Sequence, residues 1–167
     1  MALEITQLTA TDFDEGLDFL NAVFGKYRGR HHDFHALLPS LYQPTDELMS
    51  CNHAFREDGD ICAIVGLYPI DWQVGDRVLK VGGIGDVSTH PVNRNKGYMS
   101  WLMAHCVEKM QSQGFHLSFL GGQRQRYGYV GYEKCGQEVV ITLAKDNVRH
   151  ARGDLPKLRF EPIAAGD

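Results

Sequence analysis

The N-terminal segment alternates apolar and polar positions before it changes to a helical pattern. Leu3 to Leu8 alternates as a half-buried strand does. A helix is predicted next, with a cap at Thr11 or Asp12 and an end at about Phe24. Its apolar residues repeat at helical spacing and are Phe13, Leu17, Leu20 and Phe24. A second, short helix is predicted over Phe34 to Tyr42, ending before Pro44.

Three further strands are predicted as a meander in the middle of the sequence. Cys51 to Arg56 alternates weakly, and Ile61 to Leu67 is a nearly unbroken apolar run, which is typical of a central strand. Turns are indicated at Glu57 to Asp60 and at Gly75-Asp76. A long strand, Arg77 to Thr89, follows the second turn.

Three glycines, at positions 82, 83 and 85, interrupt the long strand. Glycines inside a strand usually mark a bulge or a close approach of another group to the backbone. We therefore expect the sheet to be irregular at this point of the strand.

The clearest helix of the sequence begins near Arg94 and ends at Gln113-Gly114. One apolar stripe supports it, formed by Met99, Leu102, Met103, Cys106, Val107 and Met110. Strands are predicted at Phe115 to Leu120 and, after a stretch rich in Tyr and Gly, at Glu138 to Leu143. The order β-α-α-β-β-β-α-β-(short α)-β predicts an α+β fold with a mixed sheet.

Composition narrows the class of protein. The chain has 167 residues, enough for one domain with a substantial core, and a formal net charge of -4. That charge excludes a general polyanion-binding surface, and no run is apolar enough to span a bilayer. The four cysteines, at positions 51, 62, 106 and 135, lack metal-site spacing and are typical of buried thiols in a reducing compartment. We expect a cytoplasmic protein without a nucleic-acid partner, a membrane partner or a metal.

The most informative segment runs from Val87 to Met99, where a strand leads through a short loop into the long helix. A helix N-terminus presents unpaired N–H groups and the positive end of the helix dipole, so it binds phosphate. Arg94 and Lys96 would add positive charge, and Gly97 would let a ligand approach the backbone. The alternative is an ordinary connection with solvated basic residues, because neither a Walker loop nor a Rossmann fingerprint is present.

This segment resembles the acetyl-CoA loop, [QR]-x-x-G-x-[GA], of the GNAT acetyltransferase superfamily. Arg94-Asn95-Lys96-Gly97-Tyr98-Met99 is similar to it, except that Met99 stands where Gly or Ala is usual. Tyr127 to Gly136 resembles the later Y-x-x-x-G-[FY] motif. The chain is most similar to the enhanced intracellular survival acetyltransferases, which carry two such domains in tandem and tolerate a large apolar residue in the position of Met99.

The tandem arrangement agrees with the end of the chain, where residues 158–167 repeat the apolar pattern of residues 3–12. We expect a GNAT domain over 1–145, a linker over 146–157 and the start of a second, similar domain over 158–167. A frayed C-terminus is the alternative.

The resemblance implies a sheet that splays beside acetyl-CoA, with helices on both faces. The strand end Val87, Ser88 and Thr89 would pair with the pantetheine arm, and Arg94 would anchor the phosphates or the start of the loop. Backbone N–H groups would hold the pyrophosphate; they belong to Asn95, Lys96, Gly97, Tyr98, Met99 and Ser100.

The reaction that the resemblance implies is direct attack of an amine on the thioester of acetyl-CoA in a ternary complex. Tyr127 matches the family's general acid, which protonates the departing thiolate. Asp86 or His90 could serve as the base, from their places beside the strand end. Asp86 could equally accept backbone hydrogen bonds, and His90 could be exposed. In the survival-type relatives the base can also be a distant C-terminal carboxylate.

The residues expected beside the acceptor groove give weaker evidence for a function. Tyr27, His31, His32 and Phe34 would lie beside the acceptor groove and could contact substrate, although a solvated surface is the alternative for each. A metal site at this His-rich segment lacks a third ligand. The acceptor is expected to be a small-molecule or lysine-type amine, and a homo-oligomer is open. The alternative function is a non-catalytic acyl-CoA-binding or scaffolding domain of a tandem protein.

Overall fold

The structure, a computed structural model, describes residues 2–29, 31–122, 124–136, 139–142 and 144–150. The chain divides into two compact units, residues 1–134 and 135–167. The predicted second domain, residues 158–167, lies outside the described residues, as do residues 151–157 of the predicted linker.

Five strands of the described residues form one mixed sheet, as predicted. They are β1 (Leu3–Gln7), β2 (Asn52–Glu57), β3 (Asp60–Val74), β4 (Arg77–Thr89) and β5 (Leu117–Leu120). The strands lie in chain order, and each of the first four is antiparallel to the next. β5 is parallel to β4, because the long helix between them carries the chain back across the sheet.

The helices differ from the predicted ones mainly at their ends. They are α1 (Phe13–Arg28), α2 (Phe34–Leu37), α3 (Asp46–Met49), α4 (Tyr98–Ser112), α5 (Arg124–Tyr127) and α6 (Lys145–Arg149). α1 continues past Phe24 to a left-handed cap at Gly29, where φ is 63°. The second predicted helix is shorter than expected and is followed by α3, which was not predicted; Asp33 and Thr45 cap these two turns.

Two apolar clusters hold the sheet between helices on its two faces, as the resemblance implied. Leu102 and Cys106 of α4 pack on one face with Val65, and Leu20 of α1 packs on the other with Ile64. Adjacent residues of β3 belong to different clusters because side chains alternate along a strand. No helix in the described part of the chain is long and apolar enough to cross a membrane.

The predicted strand Glu138 to Leu143 is wrong within the residues that the structure describes. Residues 139–142 form no strand, and the side chains of Val139, Val140 and Ile141 are exposed. A run of β-branched residues favours a strand, but a strand also needs a neighbour to pair its backbone. The same unit contains α6, whose start is held by a 2.8 Å bond from the Ala144 N–H to the Asn147 Oδ1.

Candidate active site

A bulge in β4 marks the centre of the candidate site. Gly66 pairs with Gly85 and Ile64 pairs with Ser88, so two residues of β4, at positions 86 and 87, oppose a single residue of β3. Asp86 takes the first bulge position with a φ of 54°, in the left-handed region where glycine is usual. Asp tolerates this conformation better than most residues. The bulge therefore places a carboxylate where the strand changes register.

The three glycines before the bulge show the close approach of other groups to the backbone that was one of the two expectations for them. None of them has a positive φ. A Cβ on Gly82 would lie 2.3 Å from the Met110 sulfur, and one on Gly83 would lie 3.2 Å from the Ile70 side chain. These glycines make room for neighbouring side chains, and Asp86 itself supplies the unusual backbone conformation.

β4 and β5 separate directly after Ile84. Their last paired residues are Ile84 and Leu120, and residues 85–89 of β4 continue past the end of β5. Val87 is half-buried, Ser88 is buried and Thr89 pairs with β3. The end of β4 thus keeps its bonds to β3 while no β5 partner faces its other edge in the described residues. An extended ligand can pair with such an edge.

The N-terminus of α4 lies at the end of the same segment. A 3₁₀ turn at Pro91–Asn93 follows β4, and α4 begins at Tyr98 rather than near Arg94. Gly97 is the N-cap, with a φ of 84°, and no side chain caps the helix. The first backbone bond there runs from the Trp101 N–H to the Gly97 oxygen, at 3.1 Å. The preceding N–H groups lack partners within the helix and can receive an anion.

The side chains around the N-terminus of α4 differ in how free they are to bind a ligand. Arg94 is exposed and makes no hydrogen bond or ion pair within the described residues. Lys96 Nζ lies 2.8 Å from the carboxylate Oε2 of Glu57, and this bond raises the pKa of Lys96. The Tyr98 hydroxyl donates to the same oxygen at 3.0 Å. The Tyr98 ring is buried and stacks on Phe55, so only its backbone N–H can serve a ligand.

The remaining loop residues present backbone groups. Asn95 has a φ of 66°, which suits a short polar side chain. Met99 and Ser100 are half-buried in the first turn of α4, and Met99 packs against the core. A Cβ on Gly97 would meet nothing within 4 Å, so the space beside the loop is open.

Asp86 is held by two phenols. The Tyr42 hydroxyl donates to Asp86 Oδ2 at 2.6 Å, and the Tyr68 hydroxyl donates a very short bond to the same oxygen. Within the described residues, Asp86 Oδ1 accepts no hydrogen bond. Burial raises the pKa of Asp86, and the two phenols oppose that rise because they stabilise the charged form.

Tyr127 stands at the end of α5 with its ring buried in the α4-side cluster. Gly122 admits the ring, because a Cβ on Gly122 would lie 2.6 Å from it. The Tyr127 hydroxyl makes no hydrogen bond in the described part of the chain, and burial raises its pKa. A protonated phenol without a partner is a suitable proton donor.

The sequence pattern of the family described as "Acetyltransferase (GNAT) domain" matches residues 4–139. The chain belongs to the GNAT acetyltransferase family. The match includes the bulge, the loop before α4 and Tyr127, and it classes the protein as an acyltransferase. None of the curated proteins matches the chain closely enough to count as a relative.

Solved structures share the fold at low identity. A predicted acetyltransferase from Clostridium acetobutylicum, solved with acetyl-CoA, is 14% identical with a TM-score of 0.69, over 89% of this chain and 99% of that one. A GCN5-related N-acetyltransferase from Kribbella flavida is 20% identical with a TM-score of 0.63, over 79% of this chain and 33% of that one. A probable N-acyltransferase from Enterococcus faecalis is 19% identical with a TM-score of 0.61, over 80% and 33%. The chain thus spans about a third of the last two proteins.

The residues expected to contact the acceptor of this GNAT domain differ in their exposure. His32 and Phe34 are buried, and their rings pack together at 4.6 Å with Phe24 beside them. Both rings serve as core packing groups, and their contact with a substrate stays a prediction. His31 is exposed, and the side chain of Tyr27 lies outside the described residues.

His90, the other residue expected as a possible base, is half-buried directly after β4. Its ring lies 6.3 Å from the Phe19 ring, and its backbone N–H donates to Cys62 at 2.9 Å. Cys106 is fully buried, and burial raises its pKa to about 12, so its thiol stays protonated at neutral pH. No three metal-ligating side chains gather in the described part of the chain.

The sequence interpretation missed Tyr42 and Tyr68. The turn at Gly75-Asp76 sets a hairpin register that places Tyr68 opposite Gly83, three residues before the bulge at Asp86. Counting residues back from the turn at Gly75-Asp76 would have placed Tyr68 close to the bulge. Tyr42 comes from the segment between α2 and α3, and only the tertiary fold brings it to Asp86.

Proposed function

We propose that this GNAT domain is an acetyl-CoA-dependent N-acetyltransferase that uses direct attack of an amine in a ternary complex. The observation that carries the proposal is the alignment of three features in one segment: the free edge of β4, the Asp86 bulge and the uncapped start of α4. Acetyl-CoA supplies an acetyl group activated as a thioester. The large residue Met99 further supports kinship with the tandem survival-type enzymes.

The residues present fit acetyl-CoA. Backbone groups of Val87, Ser88 and Thr89 would pair with the pantetheine amides, as an added strand does. The pyrophosphate would be held by N–H groups of Asn95, Lys96, Gly97, Tyr98, Met99 and Ser100. Arg94, which is unpaired among the described residues, would add positive charge. The open space beside Gly97 supports this assignment.

Asp86 is proposed as the base. A protonated amine has a pKa near 10 and must lose a proton before it can attack a carbonyl carbon. Asp86 is partly exposed at the bulge, and its Oδ1 has no hydrogen-bond partner among the described residues. That oxygen can take the proton directly or through one water molecule.

Tyr127 is proposed as the acid. When the amine has attacked and the C–S bond breaks, the departing thiolate needs a proton. The Tyr127 hydroxyl can give it, since its raised pKa keeps it protonated at neutral pH. The second proton of the attacking nitrogen then returns to the Tyr127 phenolate, and Asp86 releases the first one to solvent, so the sum is amide, free thiol and one proton.

The acceptor is proposed to be a primary amine, either a small molecule or a lysine side chain. Asp86 gives the site a carboxylate that attracts a cationic group, and the net charge of -4 has the same sign. The rival reading, a scaffolding domain that binds acyl-CoA without turning it over, would retain the loop and lack turnover with any amine.

The test combines binding and turnover. Titration calorimetry of the full chain with acetyl-CoA should show micromolar binding, which the double variant R94A/G97V should abolish. R77A, an exposed arginine at the β3–β4 turn, is the matched control and should bind normally. Thiol release is then followed across a panel of polyamines, aminoglycosides and lysine peptides. Binding without turnover would favour the scaffold, and absence of binding by folded protein would overturn the cofactor assignment.

A further inference from the structure

We propose that Tyr42 and Tyr68, with Asn52 behind Tyr68, are positioning residues that hold the Asp86 carboxylate with Oδ1 directed to the acceptor amine. The inference rests on the proposed function, because it gives a task to the base assigned there. Tyr42, Tyr68 and Asn52 lie outside both the loop before α4 and the motif that begins at Tyr127.

Both phenols bind the same oxygen of Asp86, although they come from distant parts of the chain. Tyr42 lies between α2 and α3, and Tyr68 lies in β3. Each donates to Oδ2, and Oδ1 accepts nothing in the described residues. Two donors on one oxygen fix the orientation of a carboxylate about its Cβ–Cγ bond. The other oxygen is then the one available for a proton.

The sheet is built to admit the Tyr68 ring. A Cβ on Gly66 would lie 2.5 Å from Cε2 of Tyr68, and one on Gly85 would lie 3.3 Å from the same atom. Gly66 and Gly85 face each other across the two strands. Because neither carries a side chain, the ring can lie along the sheet and reach Asp86. This accounts for a glycine pair inside a central sheet, which otherwise costs stability.

Proton counting places Asn52 in the same network. The Tyr68 hydroxyl also lies 3.3 Å from Asn52 Oδ1, but one phenol has one proton, and Asp86 takes it. The buried Asn52 Nδ2 has no partner among the described residues in this orientation. Turning the amide by 180° lets Nδ2 donate to the Tyr68 oxygen. The chain of donors then runs from Asn52 to Tyr68 to Asp86.

Tyr42 is equally fixed. It is almost fully buried, and its ring packs edge-on against Phe34 at 5.4 Å. Its carbonyl oxygen lies 2.8 Å from Nδ1 of His35, which ties the backbone of the segment. Burial and the charge of Asp86 raise the pKa of both Tyr42 and Tyr68, so both phenols remain donors throughout the reaction. In the proton transfer, the N–H bond of the ammonium breaks and an O–H bond forms at Oδ1.

The test replaces each phenol by Phe. Y42F and Y68F each remove one hydrogen bond to the charged carboxylate, so the acid limb of the kcat/KM profile should move to higher pH by about 1 pH unit. We expect kcat at neutral pH to fall about tenfold in each variant, while the Kd for acetyl-CoA stays unchanged. G66A keeps every polar group and displaces the Tyr68 ring, so it should reproduce the effect of Y68F. Y129F, at an exposed tyrosine, is the control and should change nothing.

A second readout does not need turnover. The carboxyl ¹³C resonance of Asp86, assigned with D86N, should titrate at higher pH in Y42F and in Y68F than in the unsubstituted protein. An unmoved titration and pH profile would overturn the positioning role and leave the proposed function intact. If the unsubstituted chain turns over no amine, the proposed function fails and the positioning role fails with it. Loss of kcat without a moved profile would assign the phenols to packing alone.

Discussion

Lys96 of the loop before α4 forms a 2.8 Å ion pair with Glu57 at the end of β2. The pair places a carboxylate beside the uncapped helix start, where the proposed ligand is an anion. The E57Q variant removes that competing charge and frees Lys96 for phosphate. We expect acetyl-CoA to bind several-fold more tightly in low salt, with a smaller gain in 0.5 M salt because screening weakens exposed charges. Calorimetry at the two salt concentrations measures this affinity, with D76N, at an exposed carboxylate of the β3–β4 turn, as control. Weaker binding by E57Q would show that the ion pair maintains the loop structure.

Replacing Asp86 by Asn separates stability from activity. Asn tolerates a positive φ and can accept both phenol bonds. Burial raises the pKa of Asp86 in the folded state, so ionisation above that pKa costs folded stability, and the uncharged Asn avoids this cost. Urea unfolding at pH 7 should show a free energy of unfolding that is equal or higher by about 1 kcal/mol. Turnover should fall about 100-fold or more. A fully active D86N would exclude Asp86 as the base.

Replacing Tyr127 by Phe tests the acid. Phe keeps the ring in the core and removes the hydroxyl, so binding should hold while turnover falls by about 10² to 10⁴-fold. The measurements are kcat and the Kd for acetyl-CoA, with Y129F alongside. An equal loss of affinity and turnover would show that the hydroxyl serves binding rather than proton transfer.

His53 should make the fold sensitive to acid. It is buried, and burial together with the nearby charges of Lys109 and His105 lowers its pKa from 6.5 to about 4. Since protonation is easier in the unfolded chain, His53 stabilises the fold above pH 6.5 and loses this contribution as the pH falls toward 4. The free energy of unfolding should drop there by up to about 1.4 kcal/mol per pH unit. H53Q should flatten this part of a urea-unfolding series against pH, and an unchanged slope would exclude His53.

Most strands of the sheet were predicted from the sequence because each has a local pattern of apolar residues and is bounded by turn residues. The bounds of β4 were predicted correctly, and the apolar stripe identified the body of α4. β3 was predicted too short, since residues 68–74 become strand through pairing with β4 rather than through an apolar pattern of their own. The start of α4 was placed too early because Gly97 adopts a left-handed conformation that a stripe of apolar residues does not encode.

The candidate site was predictable where it is local in the chain. The loop from Arg94 to Gly97 and the place of Asp86 follow from contiguous residues. The phenols that hold Asp86 do not, because Tyr42 is 44 residues away along the chain. The sequence also did not predict the burial of His32 and Phe34, since a short segment of aromatic and His residues can face the solvent or the core equally well.

The bulge at Asp86 is opposed by Val65, which lies with Ile64 in the most deeply buried stretch of β3. The strained residue is therefore anchored to the part of the sheet that opens last. In native-state hydrogen exchange, amides of this stretch of β3 should exchange only through global unfolding. The bulge would then keep its shape until the whole domain unfolds. A lower global stability would not by itself loosen the bulge in the folded state.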